Sequence, residues 1–88
     1  MDMFSLKGKN AVILGGAGIL GTTMSKGLAK AGANVAVCDL SEERAKSLSS
    51  EINVHGVLSK GYRLNAMDKD NLKSVHDEIM RDFGRVDI

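Results

Sequence analysis

A glycine-rich turn between two short apolar segments is the feature of this chain that most constrains its fold. Glycine occupies four of the seven positions in 15–21. The preceding run, 11–14, is apolar throughout and short enough to be a buried strand. The residues that follow, 22–31, predict a helix, and Gly32 is well suited to end it. A second apolar run at 34–38 predicts another strand, so the turn lies inside a strand–helix–strand unit.

An acidic residue completes this unit. Asp39 directly follows the second predicted strand and lies 18 residues after Gly21. A G-x-G-x-x-G motif alone occurs by chance. With a strand before it, a helix after it and an acid at the end of the next strand, it is the fingerprint of dinucleotide binding. The pattern therefore predicts a nicotinamide dinucleotide as cofactor.

The glycines of the turn have distinct predicted roles. Gly15 and Gly16 allow backbone angles that other residues reach only with strain. Gly18 leaves no side chain between the backbone and a bound pyrophosphate, and Gly21 lets the first helix lie close to the sheet. The first helix directs its unpaired N–H groups and positive dipole end at the phosphates, beside Ile19 and Leu20. The alternative is a glycine-rich turn that binds nothing.

Asp39 predicts a preference for NAD over NADP. Its carboxylate can accept hydrogen bonds from the adenosine ribose hydroxyls, next to Leu40. The 2′-phosphate of NADP would face that carboxylate, and each unit of its charge at ~4 Å costs on the order of 4 kcal/mol at an effective dielectric constant of 20. Arg44 is the nearby cation that could offset this repulsion, although a residue on a predicted helix turn is more often a solvated surface residue. The alternative role for Asp39 is to cap the next helix, for which Ser41 is also available.

The rest of the chain alternates in the same way. A second helix starting after Ser41 carries an apolar stripe, 53–60 reads as a loop or a helix extension, and 61–65 alternates like a third strand. A third helix, capped by Asp68 or Asp70, ends at Gly84, and 85–88 resembles the start of a strand. The predicted inward-facing residues are Met24, Leu28, Ala31, Ala45, Leu48, Ile52, Leu72, Val75, Ile79 and Phe83. The predicted class is α/β, a three-layer doubly wound parallel sheet.

Composition narrows the class of partner. The chain has 88 residues, a formal net charge of +1 and one cysteine. It has no basic stripe for nucleic acid and no apolar run long enough to cross a membrane, and residues 1–6 lack the basic start and long apolar core expected of a signal peptide. The histidines and Cys38 show no metal-ligand spacing, and a lone cysteine on a buried strand fits a packed residue in a reducing cytoplasm. Because the fourth strand only begins, we expect 1–88 to be the N-terminal part of a larger domain.

Four segments resemble the short-chain dehydrogenase/reductase family: FSLKGK at 4–9, AVILGGAGILG at 11–21, KAGANVAVCDL at 30–40 and IMRDFGRVDI at 79–88. Within it, the chain is most similar to members that act on sugar acids, such as fructuronate (D-mannonate) oxidoreductases and gluconate dehydrogenases. The resemblance implies an NAD(P)-binding Rossmann fold, of which this chain is the N-terminal portion only. It also implies hydride transfer between nicotinamide and a secondary alcohol or ketone, and a homo-oligomer, tetramer or dimer.

The chain departs from the family at two places. The usual motif, Thr-Gly-x-x-x-Gly-x-Gly, matches Gly15 and Gly21 but places Ile19 at the middle glycine, so that Gly18 is left to supply the close approach. The family's adenine-contacting acid falls on Asn65, followed by Ala66. An amide can both donate to and accept from adenine. A turn residue at a strand end is the alternative for Asn65.

The family's catalytic asparagine, serine, tyrosine and lysine would all lie beyond residue 88. Tyr62, the one tyrosine, has no lysine four positions later, so it is interpreted as a strand residue. We therefore expect the 88-residue chain to hold the adenosine half of NAD and to be inactive alone. Two alternatives stay open: an S-adenosylmethionine-dependent methyltransferase, and a nucleotide-binding module without catalysis. Methyltransferases normally carry an acid just before the glycine loop, where this chain has Ile13 and Leu14.

Overall fold

The computed structural model describes residues 5–15, 18–53 and 56–88. Strands and helices alternate along the chain. They are β1 Asn10–Leu14, α1 Ile19–Lys30, β2 Asn34–Asp39, α2 Glu42–Asn53, β3 Ser59–Arg63 and α3 Lys69–Phe83. The order matches the predicted β-α-β-α-β-α arrangement.

The strands form one parallel sheet in the order β1-β2-β3. Side chains of β2 alternate between its two faces, so that Val35 and Val37 belong to one core while Ala36 and Cys38 belong to the other. The first core contains α1 and α2, and the second contains α3. Helices thus cover both faces of a parallel sheet, which confirms the predicted three-layer, doubly wound class.

The segment 85–88 follows the edge of β1 opposite β2. The backbone N–H groups of Asp87 and Ile88 donate to the Asn10 carbonyl at 2.8 and 3.1 Å, and Val12 N–H donates to the Ile88 carbonyl at 3.0 Å. This segment is not assigned as a strand. Its hydrogen bonds nevertheless follow β1, as expected of a chain that enters the sheet there.

Two predicted boundaries and one predicted helix face were wrong. The first helix begins at Ile19, three residues before its predicted start at residue 22. The third strand is Ser59–Arg63, two residues earlier than predicted, because Leu58 already joins β2 through the N–H of Val35. The polar composition of Ser59–Arg63 hides it from a search for apolar alternation. In α1 the fully buried residues are Ser25 and Ala29, whereas Met24 is 49% exposed. Small side chains let that helix lie close to the sheet.

The ends of α2 and α3 follow the predicted capping residues. Ser41 Oγ accepts from the Arg44 N–H at 3.2 Å, at the start of α2. Asp68, rather than Asp70, caps α3, and its carboxylate accepts from the N–H groups of residues 70 and 71. Gly84 ends α3 with a φ of 87°. Val75 and Ile79 are buried as predicted, Phe83 is partly buried, and Leu72 is 43% exposed.

Two asparagines join the strands at their amino ends, opposite the predicted cofactor site. Asn10 is 5% exposed, and its Nδ2 donates to the carbonyls of Phe83 and Arg85 at 3.1 and 2.9 Å. Its Oδ1 accepts from Asn34 Nδ2 at 2.9 Å, and Asn34 Oδ1 accepts from Leu58 N–H at 2.9 Å. This amide chain ties β1, β2, the approach to β3 and the end of α3 together.

The variant Asn10→Asp should lower the free energy of unfolding by about 3 kcal/mol, since a carboxylate would face two carbonyl oxygens in place of a donor. Denaturant unfolding followed by circular dichroism measures this. Asn71→Asp is the control, because Asn71 uses its Oδ1 as an acceptor for Asn65 N–H and a carboxylate keeps that role. Equal losses from both substitutions would contradict the proposed importance of the amide chain.

Candidate functional site

The carboxyl ends of β1, β2 and β3 meet at one edge of the sheet and surround a cleft of about 310 Å³. In open parallel sheets this edge is where ligands bind. The lining residues are Leu14, Gly15, Cys38, Asp39, Leu40, Leu64, Asn65, Ala66 and Met67. The fold therefore brings together five residues that the sequence marks as cofactor-contacting: Gly15, Asp39, Leu40, Asn65 and Ala66.

Gly15 turns the chain out of β1 with a φ of 69°. Its N–H donates to the Cys38 carbonyl at 2.8 Å, and its own carbonyl accepts from Gly18 N–H at 3.1 Å. A side chain at this φ is strained, so the predicted need for glycine is confirmed here. Gly16 and Ala17, also part of the predicted turn, lie outside the described residues.

Gly18 is the N-cap of α1 and differs from Gly15 in its conformation. Its φ of −74° and ψ of 174° are open to any residue, and no side chain caps the helix there. A Cβ on Gly18 would have the Gly15 carbonyl oxygen as its nearest neighbour, at 3.4 Å. The fold itself therefore does not require glycine at position 18. The uncapped helix end suits an anion approaching the backbone.

The first turn of α1 consists of Ile19, Leu20 and Gly21. Ile19 is 94% exposed and Leu20 is 73% exposed, and neither lines the cleft between the strands. They lie instead beside the helix end that follows Gly18. Their contacts with a cofactor and the role of Gly21 in close helix packing stay predictions.

Asp39 combines a local contact with its place in the cleft. Its Oδ1 accepts from Ser41 N–H at 3.0 Å, which orients the carboxylate at the end of β2. Ser41 supplies a cap of α2 through the N–H of Arg44. The hydrogen bond from Ser41 N–H holds the Asp39 carboxylate at the carboxyl edge of the sheet, and its contact with a ribose stays a prediction.

Asn65 is a turn residue that also lines the cleft. Its N–H donates to Asn71 Oδ1 at 2.6 Å, and its Oδ1 accepts from Met67 N–H at 3.0 Å. Oδ1 keeps a second lone pair and Nδ2 is a donor, so the side chain can both accept from and donate to a ligand. The contact of Asn65 with adenine stays a prediction.

Sequence reasoning missed part of the lining. Leu14, Leu64 and Met67 contribute apolar surface to the cleft, and Met67 is 92% exposed. The sequence signal for Met67 is that it is the one large apolar residue in the stretch 65–71. Cys38 is 1% exposed, and burial raises the pKa of its thiol to about 11. This confirms a packed residue rather than a reactive thiol.

Tyr62 lies within β3, away from this cleft, and is 8% exposed. Its Oη donates to Asp82 Oδ2 at 2.7 Å. Burial and this hydrogen bond raise the pKa of the phenol and hold it protonated, while the bond lowers the pKa of the Asp82 carboxyl. This hydrogen bond connects Tyr62 of β3 to Asp82 of α3, which agrees with the interpretation of Tyr62 as a strand residue.

Residues 5–15, 18–53 and 56–88 contain neither a candidate metal cluster nor a helix that could span a membrane. No group of three or more histidine, cysteine or acidic side chains could hold a metal ion there. Within the same ranges, no helix has the length and apolar character to span a membrane.

The family model for short chain dehydrogenases matches residues 9–88 of this chain. A sorbose reductase from Candida albicans is 36% identical over 88 residues, which cover 100% of this chain and 31% of that protein. The 5-keto-D-gluconate 5-reductase of Escherichia coli is 31% identical over 87 residues, which cover 99% of this chain and 34% of the relative. The chain thus spans about a third of the length of these relatives.

A solved structure from Haemophilus influenza, assigned as a candidate D-mannonate oxidoreductase and containing bound NAD, is similar in fold and sequence. The two chains superimpose with a TM-score of 0.91 at 36% sequence identity. The match covers 98% of this chain and 31% of the solved chain.

Proposed function

Because the chain belongs to the short chain dehydrogenase family, we propose that residues 1–88 are the N-terminal, cofactor-binding part of an NAD-dependent oxidoreductase. The observation that carries this proposal lies at the carboxyl edge. Gly15 and the Asp39 carboxylate line one cleft there, and the Gly15 carbonyl accepts from the N–H of Gly18, at the uncapped start of α1. Bound NAD supplies hydride chemistry for a secondary alcohol or a ketone. The family assignment favours this reading over the methyltransferase alternative.

Each part of the cofactor has a proposed binding group in this chain. Gly15, Gly18 and the first turn of α1, Ile19–Leu20–Gly21, receive the pyrophosphate. Asp39 binds the adenosine ribose hydroxyls beside Leu40. Asn65 donates to adenine beside Ala66. The exposed N-terminus of α1 and the cleft of about 310 Å³ fit these roles.

The proposed substrate is a small sugar acid or its keto form, such as D-mannonate or fructuronate. Support comes from the 5-keto-D-gluconate 5-reductase relative and from the neighbour assigned as a candidate D-mannonate oxidoreductase. The catalytic serine, tyrosine and lysine are proposed to lie outside residues 1–88, so that this part is inactive alone. We further propose that the complete protein is a homo-oligomer and that it is located in the cytoplasm. A reducing cytoplasm suits the free thiol of Cys38.

Replacing Gly18 by alanine separates cofactor binding from folding. The backbone at Gly18 accepts a Cβ, with its nearest neighbour at 3.4 Å, so the free energy of unfolding should fall by only about 0.5–1 kcal/mol, the cost of alanine in place of glycine at an N-cap. The added methyl group would hold the pyrophosphate away from the helix end and weaken NADH binding by at least about tenfold. Calorimetry with NADH and thermal unfolding measure the two effects. Unchanged NADH affinity would contradict the proposed phosphate site.

Titration of the complete protein with NADH, NADPH and S-adenosylmethionine tests the function directly. Tight binding of NADH alone, together with NAD-dependent oxidation of a sugar acid, is the expected result. Binding of NADH without turnover of any alcohol or ketone would instead favour the module without catalysis. Binding of S-adenosylmethionine alone would refute the proposal.

A further inference from the structure

Met67 is the large apolar side chain at the cleft that the fold leaves most exposed. It is 92% exposed, although its backbone is fixed on both sides. Its N–H donates to Asn65 Oδ1 at 3.0 Å, and the next residue, Asp68, caps α3. Within residues 5–15, 18–53 and 56–88 the Met67 side chain has no packing role, so it is available to contact a ligand.

Met67 shares the cleft with a second exposed apolar side chain. Leu40, at the end of β2, is 64% exposed and lines the same cleft, together with Asp39 and Asn65. The two polar groups are suited to the ribose and to the edge of the base, but they leave the flat faces of the base uncovered. An adenine ring has two apolar faces, and a thioether packs well against aromatic rings.

We propose that Met67 packs against the adenine ring of the bound cofactor and that oxidation of its sulfur weakens cofactor binding. This inference rests on the proposed function. The oxidant is a peroxide: its O–O bond breaks, one oxygen is transferred to the sulfur, the sulfide is oxidised by two electrons to the sulfoxide, and water leaves. The sulfoxide is polar and would replace an apolar contact on the base.

The other methionines within the described ranges are placed differently. Met24 lies on α1 with 49% exposure and Met80 lies on α3 with 37% exposure, and neither lines the cleft that contains Asp39. Met24 is therefore a matched control: it is exposed to peroxide, yet its oxidation should leave binding at the cleft unchanged.

The experiment uses the complete protein, with ADP-ribose and nicotinamide mononucleotide as separate probes in calorimetry before and after hydrogen peroxide treatment. Mass spectrometry identifies the oxidised residues. We expect oxidation to weaken ADP-ribose binding about five- to tenfold in the wild type and in Met24→Leu, but not in Met67→Leu. Untreated Met67→Gln should resemble the oxidised wild type. The affinity of untreated Met67→Gln for nicotinamide mononucleotide, which lacks adenine, should equal that of the wild type.

Two results would overturn the role of Met67 alone: equal peroxide sensitivity in Met67→Leu, or wild-type affinity for ADP-ribose in Met67→Gln. A different result reports on the proposed function. If the untreated wild type fails to bind ADP-ribose, the cofactor site itself is wrong, and the inference about Met67 fails with it.

Discussion

The Asp39→Asn variant is expected to bind NADPH at least about tenfold more tightly than the wild type and NADH about tenfold less tightly. Each unit of 2′-phosphate charge facing the Asp39 carboxylate at ~4 Å costs on the order of 4 kcal/mol at an effective dielectric constant of 20, and a third of that already gives about tenfold. The loss for NADH follows from the replacement of charged acceptors by a neutral one. An asparagine Oδ1 can still accept from Ser41 N–H, so the local turn is kept.

Calorimetric titration with both cofactors measures this change, and Glu43→Gln is the matched control. Glu43 lies in the first turn of α2 and does not line the cleft, so its replacement removes one negative charge nearby without touching the proposed ribose site. We expect less than a twofold effect from the control. An Asp39→Asn variant that still excludes NADPH would show that another feature sets cofactor preference.

The Gly61→Ala variant should lower the free energy of unfolding by about 3 kcal/mol. A Cβ at Gly61 would lie 2.5 Å from Ala45 C and Lys46 N and 2.6 Å from the Ala45 carbonyl oxygen. These are backbone atoms of α2, so relief requires the whole helix to move away from the sheet. That movement would disturb the packing of Ala45 and Ile52, both fully buried.

Gly27→Ala is the control for this variant. Gly27 lies within α1, where an added Cβ meets nothing within 4 Å, so alanine should stabilise the protein by about 0.5–1 kcal/mol. Denaturant midpoints of both variants and the wild type give the comparison. If Gly61→Ala is as stable as the wild type, α2 does not pack on β3 as closely as described.

The elements that could be predicted from the sequence are those with strong local signals. The apolar runs of β1 and β2, the caps at Ser41 and Asp68, and Gly84 after α3 all act over a few residues. Their pattern was sufficient for the α/β class and for the carboxyl-edge position of Asp39.

Features that depend on distant contacts could not be predicted in the same way. Within the part of the chain that the structure describes, the strand Ser59–Arg63 pairs with β2 alone, and its exposed positions carry Lys60 and Arg63. The close approach of Gly61 to α2 and the burial of Ser25 in α1 depend on how helices pack on the sheet. The place of Met67 in the cleft depends on the conformation of the turn after β3, which the sequence alone does not define.

The most direct test of the cofactor site is a crystal structure of the complete protein with NAD bound. We expect the pyrophosphate at the N-terminus of α1, next to Gly15 and Gly18, and the adenosine ribose hydroxyls within hydrogen-bond distance of the Asp39 carboxylate. A dinucleotide bound elsewhere, with Asp39 remote from its ribose, would contradict the account.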